Sequence, residues 1–374
     1  MAGGAVSRPT ALVIGAGIAG LASAAALLHA GWAVEVVERA PELRPVGAAL
    51  SLWPNAMAGL RRLGAATRIE AEAAPIARML LATRGGATLI DRAVTDAYLP
   101  TRALLQAALR EAVGDVSVEF GREVVELVSA ERGEVRLADG ERRSADLVVA
   151  ADGIRSTVGR AVAGDEARHC GYGGVVALSE VVDGAMPAGL AAEYWGRHER
   201  FGVCDLGGGR CYWFHMRTAR AGEPAPTLGE IAARAESWPA LVRDALAATP
   251  ADRLIPWPIH AKPAPRRLAR GRVVCVGDAG HAMEPNLGQG ACQAIEDAAA
   301  LGAAAARVDP AEVPALFEAM RLARVRRVVG RAAEGGYAAH GPVAVQAAMR
   351  AALRIMPGAM KERVAAGVQT MPDY

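Results

Sequence analysis

Aromatic side chains make up only 4% of this chain of 374 residues, so the places where they collect carry information. Net charge is scarce as well: 42 Lys and Arg against 40 Asp and Glu leave +2, which gives no electrostatic case for nucleic acid or an anionic membrane as partner. The five cysteines (Cys170, Cys204, Cys211, Cys275, Cys292) are odd in number and form no CxxC pair or zinc spacing. Free thiols in a reducing cytoplasm are expected, with the close pair Cys204 and Cys211 read as paired strand residues rather than a disulfide. Met1 to Thr10 holds no apolar stretch before a cleavage site, so no signal peptide is predicted. Nor is there an internal repeat of the solenoid kind. Ala11 to Ala30 carries no formal charge and has the length of a bilayer core.

The content of that run argues for a nucleotide fold rather than a membrane span. Gly15, Gly17 and Gly20 fall on the GxGxxG spacing directly after the apolar run Ala11, Leu12, Val13, Ile14, and a second strand ending at Glu38 follows the helix closely. The first glycine permits a sharp turn, the second lets the backbone approach a pyrophosphate, and the third lets the helix pack close to the strand. Phosphates then sit on the helix N-terminus at its positive dipole end. Glu38 is placed to accept hydrogen bonds from ribose hydroxyls, and a carboxylate there favours an unphosphorylated ribose, hence FAD or NAD over NADP at this first site.

Further along, Val46 to Trp53 reads as extended, with Pro54 and Asn55 punctuating before a helical Ala56 to Leu63. Ala77 to Asp91 alternates as one or two strands. Thr101 is a plausible cap for a helix from Arg102 through Ala112. Short strands fill Val116 to Leu137, Asp139-Gly140 signals a hairpin turn, and Asp146 to Ala150 is a buried strand. Strands interleaved with helices predict a mostly parallel sheet with an antiparallel insertion. From Arg168 to about Ile259 the texture turns β-rich. Phe201 to Leu206 and Arg210 to Met216 are alternating runs joined by Gly207-Gly208-Gly209, a hairpin signal. Six of the sixteen aromatics lie between Tyr194 and Phe214, and period two puts Tyr212 and Phe214 on one face, Trp213 and His215 on the other. Leu228 to Thr249 reads as a helix pair interrupted at Pro239. The parallel-sheet texture returns at Gly271 to Asp278, followed by a glycine-rich loop to Gly290 and a helix over Ala291 to Ala306. On the next helix, Leu316 to Gly336, Arg321, Arg324, Arg326, Arg327 and Arg331 read as a solvated face. Ala338 to Tyr374 is predicted to be a helical tail covering the substrate domain.

Three long motifs, far apart and in one order, give the chain a family likeness. GAGIAG at Gly15 to Gly20 with Glu38, ADGIRS at Ala151 to Ser156, and GDAGHAMEPNLGQGACQAIEDA at Gly277 to Ala298 together resemble the single-component FAD-dependent aromatic hydroxylases. The likeness covers roughly Leu12 to Arg331, and VGAALSLWPNAMAGLRRLG is most similar to the urate, salicylate and 3-hydroxybenzoate hydroxylases among them. It implies an α/β fold: a Rossmann-like FAD-binding domain with a parallel sheet (1–75, 100–165 and 268–310), an antiparallel-sheet substrate domain (76–99 and 166–267) and C-terminal helices (311–374).

The resemblance also implies roles. Bound FAD would lie along Gly15, Gly17, Ala19, Gly20, Glu38, Arg39, Ser51, Arg102, Val124, Asp152, Gly153, Asp278, Gly288, Gln289, Gly290 and Ala291, with NADPH or NADH as co-substrate. Asp278 would serve the ribityl and phosphate region. Free N–H groups at the helix opened by Gly288 to Ala291 would face the flavin pyrimidine, and Pro285 would stiffen the loop at its reactive edge. The chemistry implied is hydroxylation of an electron-rich aromatic small molecule by O2 through a C4a-hydroperoxyflavin, the cofactor carrying the hard step. Arg200 would hold a substrate anion and Tyr212 accept or relay a phenolic proton. Epoxidation or Baeyer–Villiger insertion on a polyketide-like or polyene substrate stays open, as does, more remotely, a flavin-bound redox sensor. A cytoplasmic monomer or homodimer is expected. Two positions depart from the family pattern: Gly159 stands where an arginine often ends the DG motif, with Arg160 one later. Arg200 and Tyr212 match the urate-type pair, but Val176 stands near the place of the urate-type asparagine, so urate is not assigned.

Overall fold

The computed structural model describes residues 8–43, 47–180 and 186–374. The first apolar run forms the strand Thr10–Ile14 inside a six-stranded sheet. Ala33–Glu38 and Leu147–Ala150 flank it in parallel, and Val118–Phe120 and Val273–Cys275 extend the parallel register outward. Ala269–Arg270 adds one antiparallel edge. Both faces of this sheet are covered, which is why Leu147 to Ala150 is apolar without alternation and wholly buried. The crossover helix Ile18–His29 packs against the helices Gly290–Ala305 and Arg102–Val113. Its run of alanines permits the close approach: a Cβ on Gly302 would already sit 3.0 Å from that of Ala26. Thr101 caps the third of these helices, its hydroxyl accepting from Leu104 N at 3.2 Å.

A second sheet of seven strands runs in the order Ile255–Ala261, Arg168–Glu180, Arg210–Thr218, Glu199–Gly207, Leu190–Trp195, Arg78–Thr83, Thr88–Ala93. All neighbours are antiparallel except Leu190–Trp195 with Arg78–Thr83. The glycine hairpin forms as expected, with Gly208 and Gly209 both at positive φ in a tight turn. Alternation then sorts the aromatics. Trp213 and Phe201 stack at 5.2 Å and pack with Trp238 and Val242 from the helical pair behind the sheet, while Tyr212, Phe214 and Met216 face the parallel-sheet domain.

Several expectations are corrected. Cys204 lies opposite Tyr212, and Cys211 opposite Asp205, so the two cysteines are not partners across the hairpin. They join different cores, and all five cysteines are free. The helix predicted from Ala56 begins at Pro54, whose fixed φ suits a first helical position; Val46 lies outside the described residues. The strand predicted to reach Asp278 stops at Cys275, and Asp278 opens the single turn Asp278–His281.

The largest correction concerns the arginines of the helix Val313–His340. Arg326 and Arg327 are exposed, but Arg321 is fully buried and Arg324 nearly so. Arg321 donates to Asp297 Oδ1 and Glu296 Oε2 at 2.7 Å each, and Arg324 to Glu296 Oε1 at 2.9 Å. Arg324 also donates to the carbonyls of Gly367, Val368 and Thr370, and Arg321 to the Tyr374 hydroxyl, so the C-terminal residues are tied to the same cluster. Beyond it, the helix Val343–Ile355 packs on the edge strand Thr88–Ala93, and Gly358–Gln369 reaches Pro54–Arg62. Among the described residues no helix is long and apolar enough to cross a membrane.

Burial works to raise the pKa values of Glu296 and Asp297, but Arg321 with Arg324 at the first and His281 with Arg321 at the second outweigh it and hold both below their ordinary values of 4.5 and 3.8. The stability these carboxylates supply is present above their unfolded pKa values and is lost as pH falls through the lower folded ones. Arg321→Met should cost about 3–5 kcal/mol in urea unfolding at pH 7, since it strands two buried carboxylates, whereas Arg326→Ala should be close to neutral. The deficit of Arg321→Met should shrink in acid as those carboxylates protonate.

Candidate active site

Two helix N-termini open into one cavity of about 1340 Å³. At the start of Ile18–His29, Gly17 is the cap residue; at the start of Gly290–Ala305 it is Gln289, and neither end has a side-chain cap or an acidic residue in its first turn. Their leading N–H groups are therefore free for a ligand, and both positive dipole ends face the same space. The glycine turn is tightly built. A Cβ on Gly20 would overlap the Gly15 carbonyl oxygen, whereas one on Gly17 would meet nothing within 4 Å. Glu38 pins the turn from below, accepting from Ala16 N at 2.7 Å and Ala40 N at 2.8 Å. Each oxygen keeps a lone pair for a ribose hydroxyl.

Around this end of the cavity the polar groups are poised for a ligand. Arg102 reaches in with its side chain open to the cavity, its pKa lowered by desolvation against the opposing pull of Asp278. Half-buried Asp152 has one buried carboxylate oxygen without a partner, and desolvation raises its pKa; the indole N–H of Trp53 is likewise buried and unpartnered. Lys262 is buried close by and donates to the Ala279 carbonyl at 2.7 Å. A cationic side chain, two uncapped helix ends and orphaned polar atoms fit an anionic dinucleotide such as FAD.

The other wall is the second sheet. Arg200, only 3% exposed, donates to Asn286 Oδ1 and to Glu193 Oε1 (3.2 Å), and its guanidinium lies over the rings of Tyr172 and Phe214 at 5.7 and 5.8 Å. The Tyr172 hydroxyl donates to Glu284 Oε2 at 2.8 Å, and its ring stacks on His340 at 4.2 Å. Asn286 donates to Glu284 and to the Ala332 carbonyl. Gly335 and Gly336 leave the notch in the long helix that these side chains fill, since a Cβ on Gly336 would overlap Glu284. Burial raises the phenol pKa values of Tyr172 and Tyr212, so both stay protonated. Burial and the Arg200 charge push His340 down to about 3, so it stays neutral.

Most residues singled out in the sequence meet at this cavity: Gly17, Ala19, Ser51, Arg102, Gly153, Arg200, Tyr212, Asp278, Pro285, Gly288, Gly290 and Ala291 line it. Gly15, Gly20, Glu38 and Asp152 lie behind that lining, and Arg39, Val124 and Gln289 do not line it. Val124 is packed in the core beside Leu12 and Val37, and the Gln289 side chain accepts from Asn55 at 2.9 Å inside the buried cluster. Sequence reasoning missed Trp53, Tyr172, Glu193, Lys262, Glu284 and His340. Glu284 sat inside a quoted motif, but nothing local marked Tyr172 as its partner.

A parallel nucleotide-binding sheet, two helix ends on one cavity and an opposing aromatic-lined sheet define a dinucleotide-dependent oxidoreductase. Residues 8–331 match the FAD binding domain family, and the chain belongs to it, among the flavin-dependent aromatic hydroxylases and monooxygenases; FAD is its cofactor. It is 35% identical over 337 residues to aurachin C monooxygenase/isomerase of Stigmatella aurantiaca, covering 85% of each chain. It is 34% identical over 331 residues to 2-heptyl-3-hydroxy-4(1H)-quinolone synthase of Pseudomonas aeruginosa, covering 84% of this chain and 86% of that one. The crystal structure of Klebsiella pneumoniae HpxO with FAD and uric acid superposes with a TM-score of 0.86 at 31% identity, over 96% and 95% of the two chains.

The glycine geometry sets a test. Gly20→Ala should lower the unfolding free energy by about 1–3 kcal/mol, because the helix must be pushed off the turn. Gly17→Ala, with open space for its methyl and an ordinary φ of −75°, should unfold at an unchanged urea midpoint.

Proposed function

We propose that the protein is a monooxygenase that uses NAD(P)H and O2 to hydroxylate an electron-rich, flat heteroaromatic ring. Ring C–H, O2, NAD(P)H and a proton become ring C–OH, water and NAD(P)⁺. Bound FAD supplies the electron transfer and oxygen activation, and the chain does the rest. The turn at Gly15 and Gly17, Arg102 and the first helix end would hold the pyrophosphate, with Glu38 serving the ribose and Asp278 the ribityl and phosphate region. The N–H groups that open Gly290–Ala305 would stabilise negative charge at the pyrimidine end of a bound flavin.

The observation that carries the reading is Arg200. Its charge is buried, held in place by Glu193 and Asn286, and still has Nε without a partner. It faces the cavity beside Pro285, where it can bind a ring-attached oxygen and favour its anionic form. That draws electron density into the ring, which hydroxylation by an electrophilic oxygen needs. Tyr212, kept protonated, donates a hydrogen bond rather than removing a proton. Phe214 and Met216 make the wall that excludes water. Val176 adds an apolar side chain where a purine with several oxygens would need a hydrogen-bond partner, so a ring such as a quinolone, with one exocyclic oxygen, suits the site better than urate.

Asp278→Ala should be isolated largely colourless; full retention of yellow flavin would remove Asp278 from the cofactor site. Arg200→Ala should keep its flavin and lose about a hundredfold in kcat/KM for ligand-stimulated NAD(P)H consumption, with hydroxylated product followed by mass spectrometry. Unchanged turnover would take Arg200 out of the mechanism.

A further inference from the structure

The cavity is too large for one ligand: about 1340 Å³ against the roughly 300–1,000 Å³ of an ordinary small-molecule pocket. Its lining also changes character with the element that supplies it. The parallel-sheet domain contributes the two helix ends, Arg102 and Asp278, and the middle of the second sheet contributes Arg200, Tyr212 and Phe214. Beyond these, the cavity continues between the edge of the second sheet and the two C-terminal helices, and there it is walled by Met79 and Ile90 on one side and Met349, Leu353, Val364 and Val368 on the other.

This outer arm is an apolar surface left unfilled. Met79, Ile90, Met349 and Leu353 are only half-buried and Val364 is 46% exposed, and all of them line the cavity. Two cationic side chains lie along it, and protein groups engage the Lys361 ammonium and the terminal nitrogens of Arg92, leaving the buried Arg92 Nε without a partner. Lys361 Nζ donates to the Leu89 carbonyl at 2.8 Å, and Arg92 donates to Gln369 Oε1 at 2.9 Å with Glu362 at 3.7 Å. What each offers the arm is chiefly its aliphatic stem. A compact polar substrate held at Arg200 would leave all this apolar area wet.

We infer that the substrate carries a long, uncharged hydrocarbon substituent, which runs from the ring at Arg200 and Phe214 into the arm between the strands Arg78–Thr83 and Thr88–Ala93 and the helices Val343–Ile355 and Gly358–Gln369. The inference rests on the monooxygenase reading and adds to it the class of substrate: an alkyl-substituted heteroaromatic ring. The C-terminal helices thereby become specificity elements rather than a passive cover.

The test uses the protein isolated with its FAD and a series of 4-quinolones substituted at C2 with methyl, pentyl, heptyl or a seven-carbon chain ending in a carboxylate. Binding is read from the perturbation of the flavin absorbance, and turnover from NAD(P)H consumption and product mass. Affinity should tighten by on the order of threefold per added methylene. Leu353→Trp and Met349→Trp, each checked for unchanged FAD content, should cut the heptyl-to-methyl affinity ratio at least tenfold. Equal or weaker binding of the longer alkyl chains, with the methyl compound bound and hydroxylated, would overturn the hydrocarbon arm and leave the monooxygenase reading standing. Tighter binding of the carboxylate-ended chain than of heptyl would overturn the uncharged tail and make Arg92 its anchor. If no member perturbs the flavin or stimulates NAD(P)H consumption, the ring assignment falls and the tail with it.

Discussion

A buried knot of charge holds the site together. Glu296 and Asp297 sit side by side on the helix whose N-terminus faces the cavity, and each is gripped by Arg321 from the next long helix. Asp297 also accepts from Gly277 N at 2.8 Å and bonds His281 at 2.6 Å, so the same carboxylate fixes the turn that presents Asp278. Glu296 reaches the other way to Asn55, and through Arg324 to the C-terminal backbone. One dry cluster therefore sets the relative positions of the Asp278 turn, the Gly290–Ala305 helix end, the Pro54–Arg62 helix and the tail. An ion cluster this deep is a poor source of net stability, because desolvation offsets much of the attraction. Its evident effect here is registry: several pieces that each touch the cavity are held by the same few atoms.

The two faces of the cavity are built on different rules. On the flavin side the work is done by backbone: free N–H groups, a turn only glycine can make, and a helix that comes close because its side chains are small. On the opposite side it is done by side chains on alternating strands, where position in the pleat decides whether a residue meets the helical pair or the cavity. Gly202 shows the link between the two rules, since its missing Cβ leaves the room that the Phe214 ring occupies.

What could be read from the sequence follows the same division. The glycine turn, the Asp152 turn, the Gly208-Gly209 hairpin and the split of Tyr212 from Trp213 were all legible, because each depends on neighbours a few residues away. Arg321 and Arg324 were misread as solvated. A pair of arginines three apart on a helix looks the same whether it faces water or carboxylates, and Glu296 lies 25 residues from Arg321. The Tyr172–Glu284 bond joins residues 112 apart, and no local pattern announces it. Cys204 and Cys211, close in sequence, were read as paired strand residues. Continued regularly from Gly207 opposite Arg210, the register would set Cys204 opposite Trp213; the irregularity between Asp205 and Gly207 sets it opposite Tyr212 instead, and the two cysteine side chains join different cores.

The strand order of the parallel sheet has a consequence for how the protein comes into being. Thr10–Ile14 has Leu147–Ala150 as a neighbour, which in turn waits for Val273–Cys275, and the Asp278 turn is held by Asp297, itself gripped by Arg321 later still. While it is being synthesised, the emerging chain has a glycine turn but no opposing wall, and the apolar edges of its first strands stay open to other chains. Capture of the flavin is therefore an event of the finished polypeptide, and the interval before it is when this alanine-rich protein is most exposed to aggregation.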